Sequence, residues 1–160
     1  MISRRTFLIT SSALGVVCAF GGTALAQVPF EVRHTTAEWR KILSEDAYMV
    51  MRQGDTEPPG YSPLDQEKRA GIFSCAGCDL PVFGSDKKYD SGTGWPSFWA
   101  PIDDKALGER RQGSGRFLQT EVHCRRCGGH LGHIFTDGPE PTGLRYCING
   151  VALKFKPTEA

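Results

Sequence analysis

Apolar residues recur with two different periods along this chain, and the change falls near residue 70. Trp39, Ile42 and Leu43 stand at i, i+3 and i+4, which predicts the buried face of a helix. Thr35-Thr36-Ala37-Glu38 overlaps this pattern as a capping box, in which the Thr35 hydroxyl and the Glu38 carboxylate take up amides left free at a helix start. Ser44-Glu45-Asp46 predicts a second short helix carrying Tyr48, Val50 and Met51, and the Gly and Pro residues over 54–63 predict a loop. From Gly71 onward the pattern becomes one of short strands between turn residues. Residues 116–124 alternate, with Leu118, Thr120, Val122 and Cys124 on one face and Phe117, Gln119, Glu121 and His123 on the other. Turns at Asp137-Gly138-Pro139 and Pro141-Thr142-Gly143 precede 144–156, which read as a strand with Gly150 as a bulge. The expected fold is mainly β and antiparallel, with short N-terminal helices.

The first 26 residues follow a different logic. Ser3-Arg4-Arg5-Thr6-Phe7-Leu8 joins a twin arginine to a weakly apolar stretch over 7–20, which Thr10, Ser11, Ser12 and Gly15 dilute too much for a membrane anchor. Ala24-Leu25-Ala26 then supplies the small-x-small pattern cut by a signal peptidase. We expect a twin-arginine signal peptide over 1–26, export to the periplasm or beyond by that route, and no stable membrane insertion after cleavage. One domain over 27–160 follows, long enough to bury a core. Loss of Arg4 and Arg5 leaves 17 basic against 18 acidic side chains, a net charge of −1. That balance argues against a nucleic-acid partner.

Six cysteines change the picture most. Cys18 falls within the signal, which leaves five. Cys75-Ala76-Gly77-Cys78 and Cys124-Arg125-Arg126-Cys127 are two C-x-x-C turns, the second followed by Gly128-Gly129. Two such turns supply tetrahedral S4 coordination for one structural Zn2+ per chain. An exported protein could instead close two disulfides, and a rubredoxin-type iron site shares the S4 geometry. With all four sulfurs on one ion, no position remains open for metal catalysis.

Cys147 is left over. In Leu144-Arg145-Tyr146-Cys147-Ile148-Asn149 the strand period places Arg145, Cys147 and Asn149 on one face and Leu144, Tyr146 and Ile148 on the other. A thiol flanked by a cation is a candidate nucleophile, because the cation lowers its pKa; the same residue could equally fill the core. His130 and His133 lie three apart, with Gly132 able to turn them toward each other for acid–base work. Asp90-Ser91-Gly92-Thr93-Gly94-Trp95-Pro96-Ser97-Phe98-Trp99 puts three aromatic rings on a Gly/Pro-rich loop, as a core lid or as a binding wall.

Four stretches together resemble the methionine-R-sulfoxide reductase family: Phe73-Ser74-Cys75-Ala76-Gly77-Cys78, Ser91-Gly92-Thr93-Gly94-Trp95-Pro96-Ser97-Phe98, His130-Leu131-Gly132-His133-Ile134-Phe135 and Arg145-Tyr146-Cys147-Ile148-Asn149. The resemblance runs from about 38 to 156. It implies two antiparallel sheets, a zinc clamp far from the site, and reduction of the R epimer of methionine sulfoxide, preferably in oxidised proteins. Carried over, Cys147 is the nucleophile that becomes a sulfenic acid, and His130, His133 and Asn149 hold and protonate the sulfoxide oxygen. Trp95, with Phe98, binds the substrate methyl, and Arg145 matches the family motif; we add a thiolate-stabilising role for it. Thr93 stands where many relatives carry a second cysteine. That departure implies an external reductant: a thioredoxin-like or glutaredoxin-like protein, or a small thiol. Pro58 and Gly60 replace an Arg and a Phe usual in their loop, and Gly129 and Gly150 replace Ser. The rival expectation is a non-enzymatic, zinc-stapled β module that binds a ligand in its aromatic loop.

Overall fold

A computed structural model describes residues 30–158, so the expected signal segment over 1–26 lies outside the described residues. Helix α1 (Thr36–Ile42) starts on the predicted capping box: Glu38 N donates to Thr35 Oγ1 at 3.3 Å, and Thr35 N donates to the Glu38 carboxylate at 2.7 Å. Trp39 and Leu43 are buried, whereas Ile42 stays exposed, so the apolar face is narrower than its spacing suggests. Helix α2 (Glu45–Gln53) starts at Ser44, whose Oγ accepts from Ala47 N at 3.2 Å. It ends at Gly54, where φ is +75°, a value that favours glycine. Among the described residues, no helix is long and apolar enough to cross a membrane.

Nine strands follow among the described residues: β1 (Gly71–Cys75), β2 (Pro81–Gly84), β3 (Lys88–Tyr89), β4 (Ser97–Phe98), β5 (Leu107–Gln112), β6 (Gln119–Cys124), β7 (His130–Phe135), β8 (Arg145–Ile148) and β9 (Leu153–Pro157). They form two antiparallel sheets, ordered β2-β1-β9 and β3-β4-β8-β7-β6-β5. Aromatic rings join the sheets. Phe98 of β4 stacks on Phe83 of β2 at 4.2 Å and meets Phe73 of β1 edge-on at 5.1 Å. Tyr146 of β8 approaches Phe83 at 5.9 Å, and α2 packs against β7.

Three expectations need correction. The stretch over 116–124 does not pair throughout: a 3-10 turn at Gly115–Phe117 precedes β6, which begins at Gln119. Both faces of β6 are buried toward its end, where Glu121 and His123 are only 3% and 8% exposed. The stretch over 144–156 is two strands in different sheets, and Gly150 opens the 3-10 turn Gly150–Ala152 between them instead of forming a bulge. The inward positions change phase across the turn, from Tyr146 and Ile148 in β8 to Leu153 and Phe155 in β9, and that shift of parity marks the break. Phe98, expected to bind substrate, is fully buried between the sheets. Phe98→Ala should therefore destabilise the fold by about 3–5 kcal/mol, measured by denaturant unfolding; a loss under about 1 kcal/mol would contradict a core role.

Candidate active site

Strand pairing carries one row of side chains across the large sheet. Tyr89 lies opposite Ser97, Ser97 opposite Cys147, Cys147 opposite His133, His133 opposite Glu121, and Glu121 opposite Arg110. Directly opposite residues share a face, so Cys147, His133 and Glu121 project together. The next row, Phe98, Tyr146 and Ile134, points to the other face and packs in or against the core. The predicted division of β8 into a chemical face and a core face is therefore present.

The two histidines converge by a different device from the predicted turn. Three residues apart on a regular strand, they would face opposite ways. His123 pairs with His130 and Val122 with Gly132, which leaves Leu131 as an extra residue in β7. This bulge puts the His130 and His133 rings 5.3 Å apart, edge to face. Gly132 stays in the strand, where a Cβ would run into the Cys147 carbonyl oxygen.

His133 lines the cavity; His130 stands behind it. His130 Nδ1 lies 3.0 Å from Glu121 Oε1, and Arg110 donates to the other carboxylate oxygen at 3.1 Å. A carboxylate on Nδ1 holds a proton there and fixes the ring. His130 Nε2 is buried without a partner. His133 Nε2 meets Gln112 Oε1 at 3.3 Å, and burial pushes the His133 pKa down, with His130 acting the same way. Glu121 was absent from the predicted site. The only sequence signal for it was an acidic residue on a strand with buried neighbours.

Cys147 is half-buried beside Thr93, whose Oγ1 lies 3.9 Å from Sγ. Thr93 is held by Ser91 at 2.8 Å, and Ser91 by Ser97 at 2.7 Å. Arg145 makes two 2.9 Å bonds to Asp137 and lies 4.4 Å over the Phe135 ring. Burial pushes the Cys147 thiol up from its ordinary value, while Thr93 and then Arg145 pull it down without reversing the shift. The expectation that the cation sets a low pKa gives way to desolvation, because Arg145 is already engaged with Asp137.

A cavity of about 270 Å³ opens here, with Trp95, Phe135 and Gly132 as its less polar wall and His133, Asn149, Thr56 and Gln119 as its polar one. Cys147 sits on this cavity. Arg145 and Phe98 are not among its lining residues. Trp95 is anchored by its indole N–H, which donates to the Glu57 carbonyl at 3.0 Å. A larger crevice near Phe30 and His123, about 470 Å³, has no cysteine in its lining.

Elsewhere, the two C-x-x-C turns meet. Each places its fifth residue in the left-handed region: Asp79 at φ +57° and Gly128 at +67°. Their N–H groups donate to the carbonyls of Cys75 and Cys124 at 2.9 and 2.8 Å, closing matched turns. The four sulfurs lie within 4.8 Å of one another, with closest pairs at 3.5 and 3.6 Å. A tetrahedral ion with metal–sulfur bonds of about 2.3 Å requires edges of about 3.8 Å, whereas a disulfide requires about 2.05 Å. All five described cysteines are free of disulfides. The donor set fits a metal ion that ties β1 to β6 across the two sheets.

Fold and site thus define a two-sheet β protein with four clustered cysteines able to hold a metal ion and a single separate thiol near a histidine pair. The family model for the SelR domain matches residues 43–157. A peptide methionine sulfoxide reductase MsrB of Pseudomonas putida (strain W619) is 52% identical over 129 residues, spanning 81% of this chain and 97% of the relative. The protein of the same name from Agrobacterium fabrum (strain C58 / ATCC 33970) is 45% identical over 127 residues, 79% of this chain and 94% of its own. The chain belongs to this SelR-domain, MsrB family.

Two outcomes test this geometry. Thr93→Val and Arg145→Gln each remove a group that lowers the Cys147 pKa, so iodoacetamide alkylation at fixed neutral pH should slow in both and its pH midpoint should rise. An unchanged or lowered midpoint would contradict the assigned balance. Cys124→Ser should leave less than one metal ion per chain by mass spectrometry and lower the thermal midpoint by about 10 °C or more.

Proposed function

We propose that this chain reduces the R epimer of methionine sulfoxide in proteins, with Cys147 as nucleophile. The observation that carries the reading is that Cys147, the one described cysteine outside the metal cluster, shares a cavity with His133, Asn149 and Trp95. The relatives that support it are named peptide methionine sulfoxide reductases. A cavity of this size with an aromatic wall suits a thioether methyl, and its polar wall suits an S=O group.

The Cys147 thiolate attacks the sulfoxide sulfur while the oxygen takes a proton, without which oxide would be a very poor leaving group. His133 faces that oxygen, with His130 and Glu121 behind it; Asn149 donates its amide hydrogen. The S–O bond breaks, the oxygen passes to Cys147 as a sulfenic acid, and the thioether leaves. One external thiol then forms a mixed disulfide and releases water, and a second frees Cys147 with loss of the donor disulfide. Thr93 fills the place from which an internal cysteine would act, and the other four described cysteines belong to the cluster. The reductant is therefore a thioredoxin-like or glutaredoxin-like protein, or a small thiol.

The raised thiol pKa fits this scheme if substrate binding completes activation. At neutral pH the free enzyme holds mostly the thiol and a neutral His133, so the proton the oxygen takes is the one the thiol gives up as it attacks. The four clustered cysteines hold a structural zinc ion, which closes the matched turns and supplies no chemistry to the reaction. The Ser3-Arg4-Arg5 motif and Ala24-Leu25-Ala26 support export through the twin-arginine route. An exported enzyme then needs a donor kept reduced in an oxidising compartment.

The purified chain, supplied with dithiothreitol, should reduce peptides bearing R-methionine sulfoxide and leave the S epimer unchanged. Cys147→Ser should abolish turnover, a loss of at least about 10³-fold, with folding and metal content retained. Equal activity on both epimers, or an active Cys147→Ser variant, would contradict the reading.

A further inference from the structure

Glu57, on the loop between α2 and β1, takes part in no step given above. It is 4% exposed. Its carboxylate accepts from Gly150 N at 2.7 Å and Val151 N at 2.9 Å. Its own N–H donates to Asn149 Oδ1 at 3.0 Å, and its carbonyl accepts from the Trp95 indole at 3.0 Å. A single residue thus touches a polar wall of the cavity, its aromatic wall and the turn that follows Cys147.

These bonds determine which way the Asn149 amide faces. The Glu57 N–H only donates, so Oδ1 must face it; the Leu131 carbonyl only accepts, so Nδ2 must face that, at 3.0 Å. One Nδ2 hydrogen remains, on a residue that lines the cavity. A buried carboxylate is an expensive way to hold a turn. Burial raises the Glu57 pKa, the two amides oppose that, and the nearby charges of Asp65 and Asp46 are both negative and raise it further. A neutral side chain would fill the space without desolvating a charge. The carboxylate's use therefore lies in geometry: two equivalent oxygens hold two adjacent amides at once, which no neutral side chain of that length does.

We propose that Glu57 is a positioning residue of the site, clamping the Gly150–Val151 turn so that Asn149 and Trp95 present one fixed geometry to the sulfoxide. The proposal rests on the reductase reading. Glu57→Gln offers one acceptor oxygen and sets its amide nitrogen against the other N–H; Glu57→Asp is one methylene too short to reach both.

The test measures kcat and KM on an R-methionine sulfoxide peptide with dithiothreitol for the full chain, Glu57→Gln, Glu57→Asp, Asn149→Ala and Glu57→Gln/Asn149→Ala. Thermal midpoint and Cys147 alkylation rate are read on the same samples. We expect Glu57→Gln and Glu57→Asp to lose about tenfold or more in kcat/KM. The Glu57→Gln midpoint should fall modestly, since one buried amide loses its acceptor, with the chain still folded at the assay temperature; alkylation should be unchanged, and Glu57→Gln should have little further effect once Asn149 is Ala. Wild-type kcat/KM in Glu57→Gln, a loss that merely follows lost stability, or full additivity with Asn149→Ala would overturn the proposal while the reductase reading stands. An inactive wild type would overturn the reading itself, and this assignment with it.

Discussion

Between Ile148 and Leu153 the chain leaves the six-stranded sheet and enters the three-stranded one, and the peptide groups in between fall outside both ladders. Buried amides left without partners destabilise a fold by roughly 1–3 kcal/mol each. The Glu57 carboxylate, brought in from more than ninety residues earlier, serves two of them. Asn149 N is served by the Leu131 carbonyl at 2.8 Å. The crossing begins directly after Cys147 and Ile148, so the requirement that closes the fold also fixes the residues around the thiol. Scaffold and site share these backbone groups.

Desolvation then sets the chemistry. The cavity places the thiol and His133 where burial shifts each toward its neutral form: the thiol goes up and the imidazole goes down. A resting site of neutral groups suits an uncharged S=O substrate, whose arrival supplies a dipole for them to act on. Arg145 does not override this tendency, because Asp137 already binds it at both ends of its fork. The four-cysteine cluster, placed to hold a metal ion, contributes at a distance. It joins β1 to the turn between β6 and β7, and β7 carries both histidines.

Local signals were the legible ones. Thr35 and Glu38 make a capping box within four residues, each C-x-x-C turn declares its own geometry, and the strand period sorts Cys147 and Arg145 from Tyr146 and Ile148. Resemblance to a family then added the roles of His130, His133, Asn149 and Trp95. What stayed hidden depends on partners far along the chain. Glu57 and Glu121 look like ordinary surface acids until Gly150, Val151 and His130 are brought to them. The bulge at Leu131 is a mismatch between two strands and has no mark in either alone. Phe98 sits on a loop full of aromatic rings, and only the opposing Phe83 and Phe73 show that it faces inward while Trp95 faces the cavity.

In the function proposed for this chain, one oxygen atom moves from a sulfoxide to the sulfur of Cys147. The most direct measurement is a single turnover without reductant on an R-methionine sulfoxide peptide, with the thioether product quantified and the protein then mapped by mass spectrometry. The account predicts one equivalent of product per chain and the mass of one added oxygen, trappable by dimedone, on the peptide containing Cys147. Product without that mark, or the mark on a cysteine of the metal cluster, would contradict it.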